Sequence, residues 1–302
     1  MKVLVLGATG LIGTAVTKEL LQAGHKVTGL CRSERSATQL EGLGATPLPG
    51  DLRDPGPWAD IVADIDGIIQ TAATFEEDMG PVDRRVLAAL MQAAETAGSR
   101  PRFIYTGGCW LYGETGNEIA TEDSAFNPLP AFAWMLENGA RLAASPAFST
   151  AIIHPAMVYD GEGGAFARFM ANARKNDPIE IWGNAGIRWP LVHRDDLARA
   201  YRLLLERPDL TGHFNASAQT GEKVGEIAAW FAGASGLVVT SVERAVAVYG
   251  GLAEGPMLDQ QMSSEKLRNA CDWVPRHIDF RMSGIFQISS EITKLKKYLA
   301  KN

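Results

Sequence analysis

Val3-Leu4-Val5-Leu6-Gly7-Ala8-Thr9-Gly10-Leu11-Ile12-Gly13 stands almost at the start of the chain. Val3 to Leu6 reads as a short strand of β-branched residues and leucine. A glycine-rich turn follows, and a helix pattern then runs from Leu11 to about Gln22, closed by Gly24. Strand, turn and helix fall in one register, the context that a dinucleotide-binding fingerprint requires. Gly7 allows the tight turn. Gly10 lets the backbone approach a pyrophosphate, with the helix N-terminus supplying N–H donors and positive dipole. Gly13 lets the helix approach the strand. Thr9, Leu11 and Ile12 complete the candidate cradle.

The alternation continues beyond that unit. Val27 to Leu30 reads as a second strand, and Ile61 to Ile65 as a helix end before a strand at Gly67 to Gln70. Val82, Val86, Leu90 and Ala94 mark one face of a helix over 82–97, stopped by Gly98. Phe103 to Thr106, residues 132–144 and Ala151 to His154 read as strand, helix and strand. Strands separated by helices of this length imply βαβ units and a parallel sheet. The expected fold is therefore α/β, a doubly wound parallel sheet of the Rossmann type. Residues 1–160 are expected to form the nucleotide-binding domain, with a return segment near 184–215. Helices are expected at Phe166 to Ala173 and Asp195 to Leu205, with a short strand at Ile179 to Trp182. Residues 161–302, mostly short helices after 221, are expected to form a small lobe over the strand C-termini.

Composition narrows the function class. A chain of 302 residues with formal net charge −6 carries no global basic footprint for nucleic acid. The one basic cluster, Lys294, Lys296, Lys297 and Lys301, reads as a solvated helix C-terminus. Cys31, Cys109 and Cys271 match no metal or CxxC spacing, and so sparse a count fits a reducing cytosol. No secretory leader pattern and no apolar run of the ~18–20 residues needed to span a bilayer is present. A cytoplasmic protein with a small-molecule substrate, no nucleic-acid partner and no membrane is expected.

The end of the second strand bears on the cofactor. An NAD site places an acid there for the ribose 2′-OH. Here Cys31 is followed by Arg32, Ser33 and Arg35, so a 2′-phosphate is the better guest and NADP(H) is expected in preference to NAD(H). Alternatively, Arg32 and Arg35 are solvated loop charges.

GATGLIG at 7–13 resembles the glycine motif of the extended and atypical short-chain dehydrogenase/reductases. Gly50-Asp51-Leu52-Arg53-Asp54 is similar to that family's GD(L/V)xD segment, which implies adenine contacts from Asp51 and Leu52. Ile68-Ile69-Gln70-Thr71-Ala72-Ala73 resembles the strand passing under the nicotinamide ribose, implying Thr71, Ala72 and Ala73 there. Phe103-Ile104-Tyr105-Thr106-Gly107-Gly108 with Tyr112-Gly113, and His154-Pro155-Ala156-Met157-Val158-Tyr159, resemble two further family segments near the cofactor. They place Thr106, His154, Pro155 and Met157 among its expected contacts. Pro190 to Ala198 resembles a later one. The resemblance covers about residues 1–205. It implies a seven-stranded parallel sheet, a nicotinamide cofactor used for hydride transfer, and a homodimer through the helices near 82–97 and 132–144.

The chain departs from the family at the acid–base site. The family uses Tyr-x-x-x-Lys, in which the tyrosine moves a proton and the lysine lowers its pKa. None of the tyrosines at 105, 112, 159, 201, 249 and 298 has lysine four residues on. In Pro130 to Asn138, Phe132 or Trp134 replaces the tyrosine, and Leu136 or Asn138 the lysine. Gly107 and Gly108 stand where a Ser/Thr is usual, and Asp83 near a usual Asn. An atypical enzyme could take its proton from Tyr112, which is otherwise a packed loop aromatic. A protein that binds NADP(H) without turnover, as a sensor or regulator, is the competing reading. His154 suits ribose or substrate, or equally a core edge. His193 reads as structural, with Asp195 or Asp196 as the natural N-cap of the next helix.

Phe75, Trp110, Tyr112, Trp134, Trp182 and Trp189 fall in segments that should line the crevice beyond the strand C-termini. Pockets for apolar or aromatic molecules are lined in this way. Trp58, Trp230 and Trp273 read as core. The expected activity is an NADP-dependent oxidoreductase acting on a small apolar or aromatic carbonyl, enone or imine. A sugar-nucleotide epimerase or dehydratase, with Arg188 holding phosphates, is a weaker alternative.

Overall fold

The computed structural model describes residues 1–74, 76–161 and 163–282. Its central sheet is assembled from β1 (Lys2–Leu6), β2 (Lys26–Cys31), β3 (Thr46–Pro49), β4 (Gly67–Gln70), β5 (Arg102–Thr106), β6 (Ser149–Pro155) and β10 (Gly212–Ala216). These seven strands run in the order β10-β6-β5-β4-β1-β2-β3, and all their pairings are parallel. The order reverses at β1, which lies between β4 and β2. In an open parallel sheet the ligand crevice forms beyond the strand C-termini at that switch point.

The reason β1 is apolar at every position from Val3 onward is visible in its packing. Val3 and Val5 face one core layer, and Leu4 and Leu6 face the other. A parallel strand covered on both faces needs such a continuous run. The first layer is closed by α1 (Leu11–Gln22) and α7 (Arg194–Leu205), which pack on each other. The second is closed by α4 (Met79–Ala97) and α5 (Trp134–Ala144) through Val86, Leu87, Leu90 and Leu142. Two elements carry no strong sequence signal, α2 (Glu34–Leu43) and β3. α2 is mostly exposed, with Leu40 its one buried residue. β3 contains Pro47 and Pro49, which a strand tolerates because it lies at the sheet edge.

The remaining elements form a lobe over the C-terminal edge of the sheet. A short helix α3 (Gly56–Ala59) belongs to the main domain. Then β7 (Met157–Tyr159), α6 (Ala167–Lys175), β8 (Ile179–Trp182), β9 (Arg188–His193), β11 (Gln219–Lys223), α8 (Val224–Ala232), β12 (Leu237–Thr240), α9 (Val242–Tyr249) and α10 (Glu265–Cys271) complete the described chain. β9 pairs with β7 and β11, and β8 pairs with β12. Short helices predominate between 221 and 282, with the end of β11 and the whole of β12 as the strands among them. The expected helix over 132–144 is two pieces, a 3-10 turn at Pro130–Phe132 followed by α5. The first core layer continues without a break into the lobe, from Val3 and Ile69 to Phe166, Ile181 and Trp189. Trp58 and Trp273 are buried as expected. Lys294, Lys296, Lys297 and Lys301 lie outside the described residues.

Candidate active site

The turn after β1 is shaped by two close approaches. Gly7 has φ +79°, and a Cβ there would lie 2.8 Å from the Ala72 backbone. A Cβ on Gly13 would lie 2.0 Å from the Gly7 carbonyl oxygen. The helix can therefore start this close to β1 and β4 only with glycine at both positions. Gly10 is the N-cap of α1 and supplies no side-chain acceptor, so the first-turn N–H groups keep their capacity for an anion. A Cβ on Gly10 would meet only the Gly7 carbonyl, at 3.3 Å, which leaves that side of the turn open. This cradle fits a dinucleotide pyrophosphate.

At the end of β2, Arg32, Ser33 and Arg35 are exposed. Neither arginine is ion-paired with another described residue. The Ser33 hydroxyl caps α2, accepting from the Ser36 N–H at 3.2 Å. Asp51 uses Oδ1 to accept from the Arg53 N–H at 2.8 Å, and its carbonyl accepts from Trp58 Nε1. Leu52 packs beside Ala72 against the second core layer.

Beyond the strand ends lies a cavity of about 570 Å³. Leu11 and Ile12 of the glycine turn, Thr71, Ala72 and Ala73 after β4, Thr106 at the end of β5, Pro155 at the end of β6 and Met157 just beyond it line one side. Trp110, Phe132, Trp134, Trp182, Trp189 and Pro256 line the other. The rings brace one another. Trp110 lies 5.0 Å from Phe132, and Trp189 stacks on Phe169 at 5.8 Å and donates its indole N–H to the Pro256 carbonyl. Trp134 donates to the Ala131 carbonyl. Two glycines make room: a Cβ on Gly255 would strike the Trp110 ring at 2.5 Å, and one on Gly80 the Trp134 ring at 2.8 Å. Phe75 lies outside the described residues.

The floor of this cavity is polar, and the sequence presents its members singly without bringing them together. Asp83 is buried on α4 and accepts from Gln70 Nε2 at 2.8 Å, Tyr105 OH at 2.7 Å and Asn138 Nδ2 at 2.9 Å. Burial pushes its carboxyl above the usual range, against the pull of those three donors. Burial likewise pushes the Tyr105 hydroxyl up, helped by the neighbouring Asp83 charge. Gln70 Oε1 accepts from the Ala72 N–H, which ties the network to the segment lining the cleft. Trp134 and Asn138 share one face of α5, one on the cavity and one in the network. Phe132 lines the cavity as well, so both aromatic residues weighed for the tyrosine position face the cleft. The sequence marks Gln70, Asp83, Tyr105 and Asn138 only as members of segments that resemble the family's, and nothing local brings the four together.

Two expected site residues lie elsewhere. Tyr112 does not line the cavity. It is buried, donates its hydroxyl to Asn215 Oδ1 at 2.8 Å, and packs on Phe126 and His154. Burial holds the phenol well above its ordinary value. His154 is fully buried behind the β5–β6 edge. Its Nδ1 accepts from the Gly108 N–H, so Nε2 carries the proton and donates to His213 Nδ1 at 2.9 Å. Burial, then the neighbouring His213, pushes it down to about 3. The strand turns this side chain into the core while its neighbour Pro155 reaches the cleft, because adjacent residues face opposite sides. His193 is the N-cap of α7, accepting from the Asp195 N–H, in place of Asp195 or Asp196. Arg188 is held by Asp259 at 2.6 Å and by the Gly116 carbonyl at 2.7 Å. Among the described residues no cluster of His, Cys, Asp or Glu could hold a metal, and no helix is long and apolar enough to cross a membrane.

Comparison with known proteins agrees with this geometry. Residues 3–217 match the NAD dependent epimerase/dehydratase family. An uncharacterised Schizosaccharomyces pombe protein is 30% identical over 92% of this chain and 96% of its own length. A Dictyostelium discoideum sterol-4-alpha-carboxylate 3-dehydrogenase, decarboxylating, is 26% identical over 68% of each chain. The structure of human epimerase family protein SDR39U1 (isoform 2) with NADPH superposes with a TM-score of 0.75, covering 92% of this chain and 96% of that one at 21% identity. Members of the group bind nicotinamide cofactors and act as oxidoreductases or epimerases. With its Rossmann-type sheet, its glycine cradle and a match over residues 3–217, the chain belongs to the NAD-dependent epimerase/dehydratase family of the short-chain dehydrogenase/reductases.

Proposed function

We propose that this chain is an NADP(H)-dependent oxidoreductase whose substrate is a small, largely apolar or aromatic molecule. The observation that carries the reading is the cavity itself: the glycine turn and the strand ends form one wall, and Trp110, Phe132, Trp134, Trp182 and Trp189 the other. A pocket so lined favours an apolar ring system over a polar sugar. A curated relative named for a sterol carboxylate is consistent with that preference. Arg188 is already committed to Asp259, which removes the one arginine expected to hold the phosphates of a sugar nucleotide.

Gly7, Thr9, Gly10 and Gly13 would hold the pyrophosphate, Asp51 and Leu52 the adenine, and Thr71 to Ala73, Thr106, Pro155 and Met157 the nicotinamide end. Arg32 and Arg35, without a carboxylate to receive the ribose 2′-OH, favour the 2′-phosphate of NADP(H). When bound, the cofactor supplies hydride. The aromatic wall excludes water and orients the substrate. Tyr105, whose hydroxyl donates to the Asp83 carboxylate, is the proton-bearing group at the cavity floor, in place of a Tyr–Lys pair. A carbon–carbon double bond or an iminium would need less proton assistance than a ketone. The absence of that pair also supports a second reading, an NADP(H)-binding sensor without turnover.

Energy transfer from tryptophan to bound nicotinamide tests the reading. NADPH should bind more tightly than NADH, and Arg32→Glu should weaken NADPH about tenfold while leaving NADH unchanged. Equal binding of the two cofactors would remove the NADP(H) assignment. A subsequent screen of aromatic enones, imines and ketones with NADPH separates the enzyme from the sensor.

A further inference from the structure

Arg168, on the first turn of α6, is the only cation lining the cavity among the described residues. Its guanidinium lies 4.0 Å above the Trp182 ring and 5.1 Å from Phe169. The side chain is only 23% exposed. Its hydrogen bonds to described residues all leave from Nη1, to the Glu180 carbonyl and, at 3.4 Å, to Glu180 Oε2. That second distance is longer than a good charge-assisted hydrogen bond of about 2.8 Å. The Glu180 carboxylate is itself engaged elsewhere, with Oε1 accepting from the Thr240 hydroxyl at 2.6 Å. Nε and Nη2 have no acceptor among the described residues, and neither is a buried orphan. The guanidinium therefore lies over the Trp182 ring, partly desolvated and only loosely paired with Glu180 at 3.4 Å, on a mainly aromatic wall of the cleft. Desolvation pushes its pKa down, as expected for a cation short of compensation.

We infer that Arg168 is an anchor for an acidic group on the substrate, so that the preferred ligand is an apolar ring system bearing a carboxylate or sulfonate. This inference rests on the apolar-substrate reading above and adds its polar handle. Contact with the Trp182 ring restricts the side chain, and Nε and Nη2, which have no acceptor among the described residues, supply the donors of a bidentate pair with a carboxylate. Asp83, the one acidic side chain on the cavity wall among the described residues, disfavours the acid group at the floor. The ligand is therefore oriented with its acid toward α6 and β8 and its ring toward the cofactor wall.

The test is calorimetric titration of the NADPH-saturated protein with 2-naphthoate and with its neutral analogue 2-naphthamide. The acid should bind at least about tenfold more tightly than the amide. Arg168→Met should bring the two affinities together by weakening the acid alone. Glu180→Gln, which removes the competing carboxylate, should tighten the acid and leave the amide unchanged, so the inference does not hang on one variant that fails to fold. Equal affinities in the unaltered protein, or a ratio that survives Arg168→Met, would overturn the anchor while leaving the apolar cleft standing. If neither compound binds, the apolar-substrate reading falls and the anchor falls with it.

Discussion

One wall of the cleft takes Leu11 and Ile12 from a single contiguous stretch, the turn at Gly7 to Gly13, whereas the facing wall is made of side chains from six separate places. Trp110 follows β5, Trp134 begins α5, Arg168 lies on α6, Trp182 ends β8, Trp189 is on β9 and Pro256 comes from a late 3-10 turn. The first wall is defined by what must be absent, a Cβ at Gly7 and Gly13. The second is defined by what must be present, large rings braced against each other. A wall built from missing atoms tolerates almost no substitution. A wall built from many partial contacts is expected to change piecemeal, so one family can keep its cofactor and vary its substrate.

The most direct way to break this contrast is Gly13→Val. The added Cβ would meet the Gly7 oxygen at 2.0 Å, so α1 must move off β1. We expect a loss of at least about 3 kcal/mol in chemical denaturation and no energy transfer to NADPH. Normal NADPH binding in that variant would show that the close helix–strand contact is dispensable.

Asp83→Asn probes the polar floor that joins the two walls. Three donors converge on the carboxylate, and the Gln70 amide is pinned by the Ala72 N–H, so an introduced NH₂ meets donors that have little freedom to turn. A cost of about 2 kcal/mol is expected. Unchanged stability would mean that the network reorganises freely.

His154 tests the sharpness of the boundary between cleft and core. Its folded-state value of about 3 lies below the ordinary 6.5, so the unfolded chain binds the proton more readily. Its contribution to stability is full above pH 6.5 and is lost as pH falls toward 3. Between pH 6.5 and 5 that loss is about 2 kcal/mol. His154→Gln should flatten this part of the pH–stability curve and leave NADPH affinity unaltered. A cofactor affinity that follows the same proton would return His154 to the site.

The smallest effect is expected from Tyr112→Phe. It removes one buried hydrogen bond to Asn215, worth about 1 kcal/mol, and should leave cofactor binding and any turnover unchanged. A large fall in turnover would restore Tyr112 as a proton donor.

Much of the fold follows from local pattern alone. The VLVL run, the three glycines and the helix period of 82–97 specify a buried parallel strand, a phosphate turn and a core-facing helix. Each of these requirements is met within a few residues of the position that states it. β3 escaped notice because its prolines speak against a strand, and only its place at the sheet edge makes them acceptable. β7, β9, β11 and β12 escaped because they are short and take their stability from partners distant in sequence.

The candidate site divides along the same line. The close approaches at Gly7 and Gly13 were legible because they leave glycine in the sequence, whereas Thr71 to Ala73 were reached only through the family resemblance. The roles of Tyr112 and His154 were not legible, since which face of a strand or turn meets the cleft depends on what packs behind it. The meeting of Asp83 with Gln70, Tyr105 and Asn138, and of Arg168 with Trp182 and Glu180, joins residues from different elements. No local signal encodes those distances. They exist only once the sheet has closed and the lobe has packed over its edge.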